Sequence, residues 1–154
     1  MSAIEKRLRE LNIDLPQPPA PVAAYVPWIR SGNLIFVSGQ LPFQDGGLQH
    51  HGPVPSAVGV DDAAAATRLC AINGLAVLKS ALEGDLSRLR RVVRLGVFVQ
   101  SDDGFDGQPT VANGASEFMV ELFGDSGRHA RAAVGVNALP MNSAVEVEFV
   151  FEVE

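Results

Sequence analysis

The sequence predicts an α+β fold, a two-layer sandwich in which two helices cover one face of a mixed β-sheet. Two long segments carry apolar residues at helical spacing, and five shorter segments are rich in β-branched and aromatic residues. The predicted order along the chain is (α)ββαβαββ, with a short helix before the first strand. Turn signals that contain Gly, Pro, Asp or Asn separate these segments.

The size and composition of the chain indicate one globular domain. With 154 residues, 47% of them apolar and 19% charged, the chain can bury a substantial core and does not resemble a disordered segment. We therefore expect residues 1–154 to form a single domain, and residues 1–21 to be an N-terminal arm of it.

The arm is predicted to begin with a short helix and to continue without regular structure. Ser2 and Glu5 fit a capping box for a helix over about 3–11, and four prolines between positions 14 and 21 exclude a helix or strand after it. The apolar face of this helix is expected to pack on the domain, and it consists of Ile4, Leu8 and Leu11.

The first half of the domain is predicted to be a hairpin, a loop and a long helix. The hairpin pairs residues 25–29 with 34–38, and residues 42–59 are expected to be loop. The helix covers about 62–83, with Asp61 or Asp62 as its N-cap and Gly84 at its end.

The second half is predicted to be a strand, a helix and two strands. They cover 91–101, about 110–123, 132–138 and 144–153. The last strand alternates Val and Phe with residues that are mostly Glu, so one face of the sheet is apolar and the other is partly charged. A sheet face of this mixed kind suggests contact with other copies of the chain.

The composition and net charge of the chain argue against several classes of protein. No apolar run approaches the length of a membrane span, and the N-terminus has no apolar core of a signal peptide, so we expect a cytoplasmic protein without membrane partners. The net charge of −6 argues against nucleic-acid binding. The one basic cluster, over 88–94, is interpreted as solvated charge at a turn and strand edge.

Metal and thiol chemistry find little support in the residue pattern. His50 and His51 are adjacent and His129 is distant, and none has a partner at metal-ligand spacing, so we interpret the histidines as exposed loop residues. Cys70, the only cysteine, is predicted to be a buried structural thiol in the long helix.

Three motifs make the chain resemble a known family. They are "VSGQLPF" at 37–43, "AN" at 112–113, which is expected to open the second long helix, and "ARAAVGVNALP" followed by "AVEVEFVFEV" near the C-terminus. These motifs are similar to sequences of the RidA family, also called YjgF-like or L-PSP endoribonuclease-like. The resemblance covers about residues 22–153. It implies a fold like that of trimeric chorismate mutase, a homotrimer with sites in the clefts between subunits, and no metal or cofactor.

The resemblance also implies an activity, which is the hydrolysis of reactive 2-imino and enamino acids to 2-keto acids and ammonia. Arg131 matches the arginine that holds the substrate carboxylate, and Glu146 the glutamate that positions the attacking water. Further substrate-binding positions are implied by the same match: Tyr25, Ser38, Gly39, Asn113 and Ala133. A guanidinium group suits this substrate because its two parallel N–H groups fit a planar carboxylate.

Two departures from the family pattern leave a second function open. Ala133 stands where many deaminating members have a cysteine, and Ser116 where an aromatic residue is usual. The alternative is a module that binds or senses a small carboxylate, such as a keto acid, in the same cleft without turnover.

Overall fold

A computed structural model describes residues 1–18 and 24–154, and it shows the predicted two-layer α+β sandwich. Five strands form one mixed sheet in the order β1-β2-β7-β5-β6, in which only β5 and β6 run parallel. The elements are α1 (Ala3–Glu10), β1 (Trp28–Ser31), β2 (Leu34–Gln40), β3 (Phe43–Gln44), β4 (Gly47–Leu48), α2 (Val60–Ala81), β5 (Leu89–Gln100), α3 (Gln108–Phe123), β6 (Ala130–Val136) and β7 (Val145–Val153).

The two long helices pack closely on each other and on one face of the sheet. A Cβ atom at Gly114 of α3 would overlap the carbonyl oxygen of Ala64 in α2, so the helices can approach this closely only with glycine there. Beside this contact, the buried Thr67 hydroxyl accepts a hydrogen bond from the Ala115 amide at 3.0 Å. Because α3 is fixed on α2 in this way, the position of each α3 side chain over the sheet is also fixed.

The other face of the sheet, here called the open face, is partly apolar and partly charged, as the sequence predicted. Ile29, Phe36 and Val134 are 60%, 42% and 46% exposed on it. Carboxylates of β7 pair there with arginines of β5, at 3.2 Å for Arg91–Glu152 and 3.1 Å for Arg94–Glu148. Arg90 also pairs with the carboxylate of Glu154, so the basic cluster over 88–94 is largely neutralised.

Several predicted boundaries were wrong for local reasons. The first strand is Trp28–Ser31 rather than 25–29, and Tyr25 lies in a bend before it. Pro27 separates Tyr25 from this strand, because proline has no amide hydrogen to donate to a neighbouring strand. The predicted loop over 42–59 contains the small β3–β4 hairpin, whose turn places Asp45 and Gly46 at positive φ.

Two helices also begin earlier than predicted. The N-cap of α2 is Gly59, and Asp61 and Asp62 lie in its first turn. There their negative charges interact favourably with the positive end of the helix dipole. Helix α3 begins at Gln108, so its first turn contains a proline. Proline fits in this turn because the amide hydrogen that it lacks would have no partner inside the helix. Within the described ranges, no helix combines the length and the apolar character that crossing a membrane requires.

The N-terminal helix packs on the domain core as predicted. Its capping box is present, with both reciprocal bonds between Ser2 and Glu5. Leu8 is only 6% exposed and belongs to the core cluster, and Ile4, Leu11 and Leu15 pack against it. The proline-rich segment is described only as far as residue 18, and its remainder, 19–21, lies outside the described residues.

We expect the arm to contribute to the stability of the domain through Leu8. Replacing Leu8 with Ala removes buried methyl groups and leaves a cavity, which should cost about 2–3 kcal/mol of unfolding free energy. Chemical denaturation of the purified variant measures this loss. Lys6→Ala changes an exposed position of the same helix and should cost less than about 0.5 kcal/mol. Equal stabilities of the two variants would show that the arm is not part of the folded unit.

Candidate active site

Arg131 lies inside the edge strand β6, and not before it as the sequence had suggested. It pairs with Leu95 of β5, whose side chain is buried under the helices. The guanidinium group therefore projects on the helix side of the sheet, next to α3. Since β6 has a neighbour on only one side, this group stays open to solvent at the border of the sheet.

Two side chains of α3 hold the guanidinium group in place. Nη1 of Arg131 donates to Oδ1 of Asn113 at 2.8 Å and to Oγ of Ser116 at 3.1 Å. Asn113 lies in the second turn of α3, not at its opening as predicted. Both hydrogens of Nη1 are used in this way, so the Nε and Nη2 hydrogens remain as the pair that can face a ligand.

His129 continues this hydrogen-bond chain and is not the exposed loop residue that the sequence suggested. Its Nε2 lies 2.9 Å from Oγ of Ser116, and its Nδ1 lies 2.6 Å from the carbonyl oxygen of Gly127. A carbonyl only accepts, so Nδ1 carries the hydrogen and Nε2 accepts the Ser116 hydroxyl. Partial burial lowers the pKa of His129, and Arg131 lowers it further, which favours the neutral ring that this pattern requires.

Three of these residues, Ser116, His129 and Arg131, border an open pocket of about 420 Å³ on the helix side of β6. Its wall is formed by Ser116, Glu117, Val120, Arg128, His129 and Arg131. Gly127 fixes one end of this wall, because a Cβ atom there would overlap the carbonyl oxygen of Met119 in α3. The wall carries two arginines and one carboxylate, Glu117, and Arg128 is paired with Asp125 at 3.4 Å. Arg131 is therefore the group in this wall that is best suited to bind a small anion.

Glu146 lies on the open face, on the opposite side of the sheet from Arg131. Its neighbours in β7, Val145 and Val147, are fully buried under the helices, so the alternation of the strand turns Glu146 outward. Partial burial raises the pKa of the Glu146 carboxyl above its ordinary value, and the nearby Glu148 raises it further. A carboxylate with a raised pKa is a better proton acceptor.

The Gly39 backbone packs directly against the Glu146 carboxylate. A Cβ atom at Gly39 would overlap Oε1 of Glu146 and would lie only 2.8 Å from its Cδ. The β2–β7 pairing shifts register between Val37 and Gln40, and this irregularity brings Gly39 over the carboxylate. The glycine of the S-G-Q motif therefore leaves the carboxylate its present position, and any larger residue here would have to displace it.

The other predicted positions fall around these two groups. Ser38 adjoins Gly39, and its hydroxyl donates to the carbonyl oxygen of Val26 at 2.7 Å. Tyr25 is 54% exposed in the bend that precedes Pro27. Ala133 follows Arg131 on the same side of β6 and packs against the core.

The predicted residues therefore form two half-sites. Arg131, Asn113 and Ala133 lie on the helix side of the sheet, whereas Gly39 and Glu146 meet on the open face. A single copy of the chain does not bring the arginine and the glutamate to one face. A reaction in which both groups contact one substrate molecule therefore needs a second copy of the chain.

Two residues of the arginine half-site were not predicted from the sequence. In the sequence, Ser116 stands out only as a departure from an aromatic residue, and His129 only as a poor metal ligand. Their joint position follows from the pairing of α3 with β6, which the sequence does not encode locally. The one available signal was the spacing of His129 and Arg131, since residues two apart near a strand share a face.

Metal and thiol chemistry stay unsupported in the part of the chain that is described. Over residues 1–18 and 24–154, no three His, Cys, Asp or Glu side chains come together as metal ligands would. Cys70 is buried in α2, as predicted, and its burial raises the pKa of the thiol well above the usual range. Such a thiol is a poor nucleophile.

The fold is that of a class of small α+β proteins with the chorismate mutase-like sandwich. The family model described as "YjgF/chorismate_mutase-like, putative endoribonuclease" matches residues 5–153. The chain belongs to this YjgF/RidA family.

Individual relatives agree with this assignment. Protein TCP17 from Trypanosoma cruzi is 44% identical over 97% of this chain and 93% of its own length. The crystal structure of protein Atu1372 from Agrobacterium tumefaciens superposes with a TM-score of 0.92 at 47% identity, over 99% of this chain and 93% of that one. A 2-iminobutanoate/2-iminopropanoate deaminase from Dermatophagoides farinae is 25% identical over 92% of this chain and 95% of its own.

The contact between Gly39 and Glu146 leads to a test of the glutamate half-site. Gly39→Ala should cost up to about 1 kcal/mol of unfolding free energy, because the new methyl group must displace the carboxylate, which is the far end of a flexible and only half-buried side chain. In a Glu146→Ala background the obstructing atoms are gone, so the same substitution should cost much less. Denaturant titration of the four proteins gives this coupling energy. Gly47→Ala, where a Cβ makes only ordinary contacts at 3.8 and 3.9 Å, is the matched control. Equal costs in both backgrounds would contradict the contact.

Proposed function

We propose that the protein hydrolyses reactive 2-imino and enamino acids to 2-keto acids and ammonia without a cofactor. The observation that carries this proposal is the bracing of Arg131 by Asn113 and Ser116, which leaves two parallel N–H groups for a ligand. A 2-imino acid presents a planar carboxylate that such a fork binds with two hydrogen bonds. Family membership and the deaminase relative support the same reaction.

Glu146 is proposed as the group that activates water. Water adds to the carbon of the protonated imine while the carboxylate takes one of its protons, which gives a carbinolamine. The carboxyl group returns this proton to nitrogen, the carbon–nitrogen bond breaks to release ammonia, and the hydroxyl group loses its proton to the carboxylate as the keto group forms. The raised pKa of Glu146 increases its strength as a base. The glycine at position 39 leaves space for this carboxylate beside the β2 backbone, where a larger residue would displace it.

The two half-sites must then come from two copies of the chain. We propose a homotrimer in which the helix side of β6 in one copy faces the open face of its neighbour. The exposed apolar residues of the open face, Ile29, Phe36 and Val134, support such a contact. The arrangement would enclose the substrate between the Arg131 of one copy and the Glu146 of the next.

Ala133 keeps a second function in consideration. A small apolar residue at this position offers no hydrogen bond to a water molecule, which favours a module that binds a keto acid without turnover. A ribonuclease, suggested by the description of the family, has less support here. The arginines of the basic cluster at 90, 91 and 94 are paired with carboxylates, and the net charge is −6.

The two half-sites should respond differently to substitution. Arg131→Ala should weaken the binding of 2-ketobutyrate by roughly 2–5 kcal/mol, or about 30-fold to several thousand-fold, because the ligand carboxylate loses its charged partner. Glu146→Gln should keep this affinity and lower the rate of imine hydrolysis by about 10²-fold or more. Calorimetry measures the first effect. Keto-acid release in an assay coupled to a threonine dehydratase measures the second.

Controls separate these effects from changes in folding. Arg9→Ala removes an exposed arginine of α1 and should alter neither quantity. The wild-type rate should fall as the pH drops through the raised pKa of Glu146, since only the ionised carboxylate accepts a proton, and Glu146→Gln should lack this fall. Unchanged binding by Arg131→Ala would contradict the carboxylate role. Binding without any wild-type turnover would favour the binding module.

The proposed assembly is tested by the mass of the protein in solution. Light scattering should give about three times the 16.3 kDa of one chain. Phe36→Glu places a charge on the open face and should shift the protein toward lower mass, because an unpaired charge in the contact is costly to desolvate. Lys79→Glu, a charge change on α2 away from that face, is the control. A wild-type mass near that of one chain would exclude the shared site.

A further inference from the structure

Imine hydrolysis as proposed uses Ser116 only to hold Arg131, and it has no use for His129 as a base. The geometry of these two residues nevertheless matches that of an activated nucleophile. We propose that Ser116 is the nucleophile of a second activity, acyl transfer from esters of small carboxylic acids, with His129 as its general base. The inference does not depend on imine hydrolysis, since Glu146 takes no part in it.

The distance and direction of the Ser116–His129 hydrogen bond fit proton transfer. Oγ of Ser116 lies 2.9 Å from Nε2 of His129, within the range at which a general base removes a hydroxyl proton. The carbonyl of Gly127, 2.6 Å from Nδ1, holds the ring in the tautomer whose Nε2 lone pair faces the serine. It thus orients the base as a third group does in hydrolase triads.

The surroundings of His129 keep the base neutral near physiological pH. Its charged neighbours in the pocket are Glu117 from α3, Arg128 from the turn before β6, and Arg131 from β6 itself. Burial and the Arg131 charge lower the pKa of the ring, so the free base persists to lower pH than for an ordinary histidine. The Gly127 carbonyl acts in the opposite direction but less strongly than burial.

Arg131 supplies the charge that an acyl-transfer reaction needs. Its Nη1 lies 3.1 Å from Oγ of Ser116, so the positive guanidinium group stabilises the negative charge that develops on the serine oxygen during attack. An ester carbonyl oxygen beside Oγ would lie within reach of the Nη2 hydrogens of the same group, which could stabilise the oxyanion. The serine oxygen keeps one lone pair for attack, because it accepts one hydrogen bond and donates another.

The reaction follows from these positions. Oγ forms a bond to the ester carbonyl carbon while its proton moves to Nε2 of His129. The tetrahedral intermediate collapses, the carbon–oxygen bond to the alcohol breaks, and His129 protonates the departing alcohol. Water then attacks the acyl-serine with His129 again as the base, which releases the carboxylic acid and restores the serine. The open pocket of about 420 Å³ has room for a small acyl group.

The test uses p-nitrophenyl acetate and the intact protein. We expect release of p-nitrophenol with transient acetylation of one site per chain, detected by intact mass and assigned to Ser116 by peptide mapping. The wild-type acylation rate should rise with pH to a plateau, with a midpoint below the ordinary histidine pKa, because only neutral His129 accepts the proton. This profile does not depend on any variant folding correctly.

Variants then assign the roles. Ser116→Ala should abolish the mapped acetylation, and His129→Gln should slow it by about 10²-fold or more while leaving the serine in place. Ser80→Ala, an exposed serine of α2, should behave as wild type. Acetylation found only on lysines or the N-terminus, or an acylation rate unaffected by His129→Gln, would overturn the proposal. Because imine hydrolysis is measured separately by keto-acid release, either activity can fail without the other.

Discussion

The alternation of side chains along β7 is the constraint on which the rest of the molecule depends. This strand occupies the centre of the sheet, and every second residue from Val145 to Val153, each a Val or Phe, fills the space under the two helices. The same alternation sends every second residue, Glu146 among them, to the opposite face. The burial that stabilises the fold therefore also separates the glutamate from Arg131. The core and the division of the candidate site into two halves have one common cause.

The sequence was sufficient for the architecture because its signals are local and repeated. Apolar residues recur at strand spacing throughout β7 and at helical spacing throughout α2. An error of two or three residues at the end of either element does not change these patterns. Boundaries depended on single residues, and there the predictions were wrong. Pro27 moved the first strand past Tyr25, and Gly59 replaced the predicted aspartates as the cap of α2.

The site was only partly predictable, for a different physical reason. Arg131 and Glu146 could be proposed because they stand in motifs, but which face each one occupies depends on strand pairing. The bonds of Ser116 to Arg131 and His129 join α3 to β6 across more than ten residues of chain. Contacts of this kind arise from the packing of α3 on the sheet. No pattern within either segment indicates them.

The short spacing of Gly127, His129 and Arg131 also limits how this part of the chain can change in length. The carbonyl of the first orients the second, and the second and third reach the same serine from one side of the backbone. Inserting or deleting one residue between His129 and Arg131 would send one of them to the other side of the sheet. Substitutions can alter this region gradually, whereas a change of a single residue in length would remove the whole hydrogen-bond chain at once.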